Sequence, residues 1–403
     1  MSRAFNPSLT IFFTHATSVQ ISFLDFMSFG ELIRPGCVLA GLIVFLFPAY
    51  SVAQSNPRGF DEVVSNAAAA RDRDDVPHAI ELYTQALQLK PAWSDGWWFL
   101  GSLQYEAEAY AAGRDALTHY IELVPNAGPA WALRGLCEFE TSEYTKSLSD
   151  IQRGLSLGAA KQDTDEKILL YHEALLLTRT GNFEAALQKY KPLAHGKVPN
   201  PELLIAIGLA GLRTPLLPTE LRADQRDLYM AAGNAAFVFM AGDERGAQQA
   251  FQELFQRFPA AVNTHYLYGY LLSPVDPNQA IAEFRHELEI APSNTAAELM
   301  LAWDSLMRND FSEALVYAKK AVAEDPMLPI AHLVLARALV ETGDLKAGTE
   351  LLEKELQLEP DNLEVHFALA KAYSKSGRKE DARRERLLCL QIEKNATSQE
   401  ARR

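Results

Sequence analysis

From residue 60 to about 393 the chain alternates short apolar stretches with polar breaks at a fixed interval. Prolines close successive blocks at Pro91 and Pro125, and again at Pro259, Pro292, Pro326 and Pro360. Before each proline, small and aromatic residues recur at helical spacing, as in Ala79, Tyr83 and Ala86 ahead of Pro91. Residues three and four apart share one helix face, so each block predicts an amphipathic helix ended by its proline. A second helix opens each block, marked by Trp97, Leu100 and Gly101, by Trp131 and Gly135, and by Tyr268 and Gly269. Two helices per block of about 34 residues cannot bury their apolar faces alone, so the blocks must stack on one another.

The later blocks keep the register. Ala174, the turn Gly181-Asn182-Phe183-Glu184, Ala186 and Tyr190 mark the fourth. Ala235, Gly242, Ala247 and Phe251 mark the fifth, and Ala280 and Phe284 the sixth, whose turn holds Pro274 and Pro277 and is one residue short. Leu301, Ala302, Phe311, Ala314 and Ala321 mark the seventh; Leu335, Ala336 and Gly343 the eighth; Leu369, Ala370, Tyr373, Gly377 and Ala382 the ninth. The expected fold is all-α, a right-handed α-solenoid of about nine helix-turn-helix units with an irregular insertion near the middle.

That organisation divides the chain into an N-terminal extension and signal segment (1–53), four units (54–197), an irregular helix and loop (198–227), five units with a capping helix (228–393) and a frayed tail (394–403). In the insertion, PELLIAIGLAGLR reads as one helix and TPLLPTEL as a proline-bounded loop. The helix beginning near Arg378 is charged, as expected of a cap on an open stack.

These blocks resemble the tetratricopeptide repeat, whose W-x2-L-G-x2-Y, A-x3-F-x2-A and closing proline fall on the residues above. Gly113, Ser147 and Gly348 replace alanine in three second helices. The resemblance implies that the first helix of each unit lines a concave groove. Its groove-facing places hold Trp98, Tyr105, Phe139, Tyr171, Phe239, Tyr266, Tyr270, Trp303 and Met307, with Arg337 and Lys371 toward the C-terminal end. Aromatic anchors beside cations suit an extended peptide or an apolar helix. The competing reading is that the aromatics pack on neighbouring helices and that the cations line a solvated wall. The Lys and Asn set with which chaperone-binding members clamp a carboxylate is not found.

Residues 37–50, CVLAGLIVFLFPAY, form an uncharged run too short to span a bilayer comfortably and suited to the core of an export signal. Ser51 and Ala53 place a cleavage site before Gln54, and Met27 would begin a signal of the right length. The expected location is periplasmic or extracellular; the alternative is an inner-membrane anchor of residues 37–53, the one expected membrane contact.

The net charge of −14 argues against nucleic acid as partner. Of three cysteines, Cys37 lies in the signal segment, and Cys137 and Cys389 fall in distant units, so no intrachain disulfide is expected. No metal or cofactor motif is found, and no phosphate loop or nucleophile elbow. His332 and His366 stand one repeat apart, a spacing open to a metal pair but better read as reuse of a structural position. The sequence therefore points to a non-catalytic scaffold for peptide or protein segments, in envelope assembly or secretion. The alternative is a glycan-acting enzyme on a helical superhelix, using Glu106 and Glu140, which are also one repeat apart. The sequence leaves the oligomeric state open.

Overall fold

The computed structural model describes residues 57–160, 163–194 and 199–400. The export signal, the Met27 start, Cys37 and the Gln54 cleavage site lie outside the described residues. Among those residues the protein is built of α-helices, with two short 3-10 turns and no strand. It divides into two compact units, one through Ala159 and one from Ala160.

The first unit stacks three hairpins: α1 (Pro57–Arg71) with α2 (Val76–Leu89), α3 (Ser94–Glu106) with α4 (Tyr110–Leu123), and α5 (Gly128–Glu140) with α6 (Tyr144–Ser156). The hairpins join through α2 against α3 and through α4 against α5. Tyr83 and Leu117 are fully buried at the hairpin seams. Removing side chains of this size from water contributes roughly 2 kcal/mol each. The α5–α6 seam is closely packed, backbone against backbone. Gly154 on α6 faces Gly128 and Ala132 on α5 so closely that a Cβ there would sit 2.7 Å from the Ala132 amide nitrogen. One turn back along the same face lies the fully buried Ile151, and one further the Ser147 hydroxyl, which donates to the Gly135 carbonyl at 2.7 Å.

The second unit contains α7 (Asp163–Arg179) with α8 (Phe183–Tyr190), then α9 (Pro201–Gly211), then five further hairpins. These are α10 (Arg226–Met240) with α11 (Glu244–Arg257), α12 (Thr264–Leu272) with α13 (Pro277–Ile290), α14 (Thr295–Met307) with α15 (Phe311–Glu324), α16 (Pro329–Thr342) with α17 (Leu345–Leu358), and α18 (Leu363–Lys375) with α19 (Lys379–Glu400). The division between units falls after α6 rather than in the 198–227 stretch that interrupts the period. The cause is that α9 is no loose insertion: it packs along α10 with Gly208 against the Tyr229 backbone and Gly233 against the Leu204 carbonyl. The proline-bounded segment after α9 makes a 3-10 turn at Pro218–Glu220. Helix α19 continues to Glu400, past the residue at which the sequence pattern ends it.

Every hairpin but α12–α13 turns through a residue with left-handed backbone: Asp74, Glu108, Ser142, Gly181, Gly242, Asn309, Gly343 or Gly377. The exception is the shortened turn with Pro274 and Pro277. Four second helices, α11, α13, α15 and α17, open on aspartate caps, with Asp243, Asp276, Asp310 and Asp344 each accepting from a backbone N–H three residues on. Such caps satisfy amides that have no partner inside the helix.

Candidate functional site

The first helix of each hairpin carries the predicted recognition residues. In the first unit Trp98 and Tyr105 lie on α3 and Phe139 on α5, all half-buried. Tyr105 meets Tyr110 edge-on with centroids 5.5 Å apart, and Phe139 meets Tyr144 at 6.0 Å. In both hairpins, then, the aromatic packs on the first residue of its own second helix. Trp98 lies 5.6 Å from the Tyr120 ring of α4. Burial pushes the Tyr105 hydroxyl well above its usual range and the Tyr110 hydroxyl up to about 12. Glu106 and Glu140 also titrate above the usual carboxylate range. For each the main cause is burial and the second a nearby carboxylate, Asp74 for Glu106 and Glu108 for Glu140.

In the second unit the predicted residues meet different fates. Tyr171 on α7 is half-buried and packs on Tyr190 with centroids 6.4 Å apart. Tyr266 is not an available anchor: it is 4% exposed, and its hydroxyl donates to Glu184 at 2.7 Å. The Arg213 guanidinium, paired with Glu184, lies 5.3 Å from the Tyr266 ring centroid and 4.9 Å from that of Phe183. This correction has a simple reason. Helical spacing names the face of a residue, but the next packed element decides whether that face is open. Tyr270 stacks at 6.4 Å on Tyr266 and accepts a hydrogen bond from Gln188 at 3.0 Å, so it too is part of the α8–α12 contact. Phe239 is half-buried on α10.

The open part of the predicted row is C-terminal. Helices α14, α16 and α18 lie side by side as consecutive first helices. Trp303 on α14 is half-buried beneath the Arg337 guanidinium of α16, 4.7 Å from its ring centroid, a cation–π contact that holds the arginine in place. Met307, one turn on from Trp303, is 53% exposed. Lys371 on α18 is not a free cation, because its ammonium lies 2.6 Å from Glu341, which Lys375 engages at the same distance. Burial would raise the Glu341 carboxyl, but the hydrogen bonds from the two lysines outweigh it and hold the group below its usual range.

Sequence reasoning missed Glu341, Arg213 and Phe367. Phe367 was findable, because it stands one repeat after Leu333 and directly follows His366 as Trp98 follows Trp97. The tryptophan position itself is structural. Trp97 Nε1 donates to the Pro91 carbonyl and Trp131 Nε1 to the Pro125 carbonyl, both at 2.8 Å. His366 Nε2 makes the same bond to Pro360 at 2.8 Å while Nδ1 meets Glu385 at 2.7 Å. His332 pairs with Glu355 in the same way at 2.7 Å. These histidines are thus engaged by separate carboxylates, and no group of three metal-ligating side chains is found among the described residues. Cys137 and Cys389 are buried free thiols.

A family model described as Tetratricopeptide repeat matches residues 305–354 and 343–385. Over 100 residues the chain is 33% identical to Protein CTR9 homolog of Arabidopsis thaliana, a stretch that covers 25% of this chain and 9% of that protein. Among solved structures it is similar to MamA (19% identity, 41% of this chain and 96% of that one, TM-score 0.37). It is also similar to yeast Tom70 (14% identity, 84% and 77%, TM-score 0.35) and to the TPR domain of P58(IPK) (12% identity, 85% and 98%, TM-score 0.29).

Proposed function

This chain is a tetratricopeptide-repeat protein, and from that premise we propose that it is a non-catalytic scaffold whose first helices hold a peptide or protein segment. The observation that carries this reading is the Trp303–Arg337 pair beside exposed Met307 on adjacent first helices. A flat apolar ring, a fixed guanidinium and a flexible thioether together suit a segment that offers an apolar side chain next to a polar or acidic one. We further propose that the chain works outside the cytoplasm, in envelope assembly or secretion, with its N-terminal segment removed before Gln54; Edman sequencing of the native protein would then begin at Gln54.

A display library of random twelve-residue peptides, selected on the full chain, tests the scaffold reading. Selected peptides should lose at least tenfold in affinity to a W303A/R337A variant. Peptides that bind wild type and this variant alike would place recognition elsewhere and refute the assignment.

A further inference from the structure

Helices α18 and α19 form the last hairpin among the described residues, and they present to solvent side chains of the kind that earlier hairpins cover. The position directly after the tryptophan register shows this best. Tyr266 and Leu333 occupy it in α12 and α16, and each is 4% exposed. Leu333 shares an apolar cluster with Val365 and Leu369 of α18, the next first helix. Phe367 occupies the same position in α18 and is 67% exposed.

Helix α19 repeats the theme. Leu387 and Leu390 stand one repeat after Glu353 and Leu356 of α17. Glu353 accepts a hydrogen bond from Tyr373 of α18 at 2.6 Å, and Leu356 packs against the cluster joining α16 to α18. The matching leucines of α19 are 56% and 62% exposed. Leu387 also helps line a surface hollow of about 380 Å³ with Glu380, Arg383, Arg384, Leu388 and Gln391. The outer face of α19 is therefore not the uniformly polar cap that the sequence suggested.

The charges beside these residues indicate the occupant. Arg384 is paired with Asp381 and Glu385. Arg383 and Arg386, by contrast, have no carboxylate partner among the described residues, and the Arg386 Nε–H turns back to the Ala382 carbonyl of its own helix. One repeat upstream, the equivalent surface of α16 and α17 receives a helix, α18. We propose that the α18–α19 face docks an amphipathic helix of a partner protein, its apolar stripe on Phe367, Leu387 and Leu390 and its carboxylates on Arg383 and Arg386. Apolar contact supplies affinity in such a mode, and the guanidinium–carboxylate pairs set orientation and salt dependence. This surface is distinct from the Trp303–Arg337 site, so either reading can fail without the other.

The probe is a synthetic eighteen-residue helical peptide with leucines at i, i+3 and i+7 flanked by glutamates, compared with a twin bearing lysines instead. Fluorescence anisotropy against the full chain should show binding of the glutamate peptide alone. That binding should weaken at least tenfold in R383E/R386E and in L387S/L390S, and should weaken with added salt in wild type. The altered side chains are largely exposed, so circular dichroism and melting temperature should stay at wild-type values, which separates lost docking from lost folding. W303A/R337A should bind this peptide as wild type does. Absence of binding, equal binding of both peptides, or binding indifferent to the four α19 substitutions would overturn the proposal. So would a concentration-dependent dimer in sedimentation that L387S/L390S abolishes, since a second copy would then be the occupant.

Discussion

Replacing Gly154 by alanine is the sharpest test of how these helices are packed. The new Cβ would lie 2.7 Å from the Ala132 nitrogen, 2.9 Å from the Ala132 Cβ and 2.9 Å from the Gly128 carbonyl oxygen, whereas ordinary contact begins at 3.4 Å. Two of the three obstacles are backbone, so no rotamer change relieves them, and α6 must move off α5 by roughly 0.7 Å, the shortfall to ordinary contact. The same displacement stretches the buried bond from Ser147 to Gly135, now 2.7 Å, to the limit of hydrogen bonding. Overpacking of this kind costs about 1–3 kcal/mol, and a weakened buried hydrogen bond about 1 more. Alanine's better helix propensity returns up to about 1 kcal/mol. The expected net loss is therefore ~2 kcal/mol, read from urea titration and localised by faster amide exchange in α5 and α6. Gly59→Ala is the control, because a Cβ on Gly59 meets nothing within 4 Å and only the propensity gain applies. A Gly154→Ala protein as stable as wild type, or stabilised like the control, would refute the argument that the seam has no slack.

Two further outcomes follow from buried charge. Burial chiefly raises the Glu298 carboxyl to about 7 from its usual 4.5, with Glu324 adding to the rise and Lys320 opposing it. An acid whose folded value exceeds its unfolded value takes up a proton on folding, so its cost is absent below about pH 4.5, grows as pH rises to about 7 and is constant above. Glu298→Gln should therefore gain on wild type in urea midpoint between pH 5 and pH 8; a difference that does not change with pH refutes this. In the ninth hairpin, His366→Ala takes from the buried Glu385 its 2.7 Å partner and leaves it only Arg384 at 3.3 Å, at a cost of about 2 kcal/mol. Removing both partners should restore about 1 kcal/mol or more of that loss, and a double variant no better than His366→Ala would show that the pair is not coupled.

The hairpins were legible because their determinants are local. Period, small-residue positions and closing prolines all lie within one unit, and the Trp97 and Trp131 bonds reach only six residues back. The recognition face was legible as an address but not as an exposure. Trp303, Met307 and Arg337 fall on adjacent first helices as the register implies. Tyr266 shares that register yet is sealed by Glu184 and Arg213, which lie 82 and 53 residues away. Contacts at that range leave no trace in a periodic pattern. The role of α9 was hidden for a similar reason, since its glycines read as small residues and only the approach of α10 explains them.

The bonds from Trp97, Trp131 and His366 to the preceding prolines carry a practical consequence for anyone shortening this protein. Each carbonyl at the close of one hairpin is capped by a side chain that belongs to the following one. A chain cut just after Pro125 or Pro360 would keep every residue of the hairpin before it and still deprive that hairpin's terminal oxygen of its side-chain donor. Damage from a truncation is thus felt one hairpin upstream of the cut. Stable fragments should end after a complete first helix, not at the proline that marks the repeat on paper.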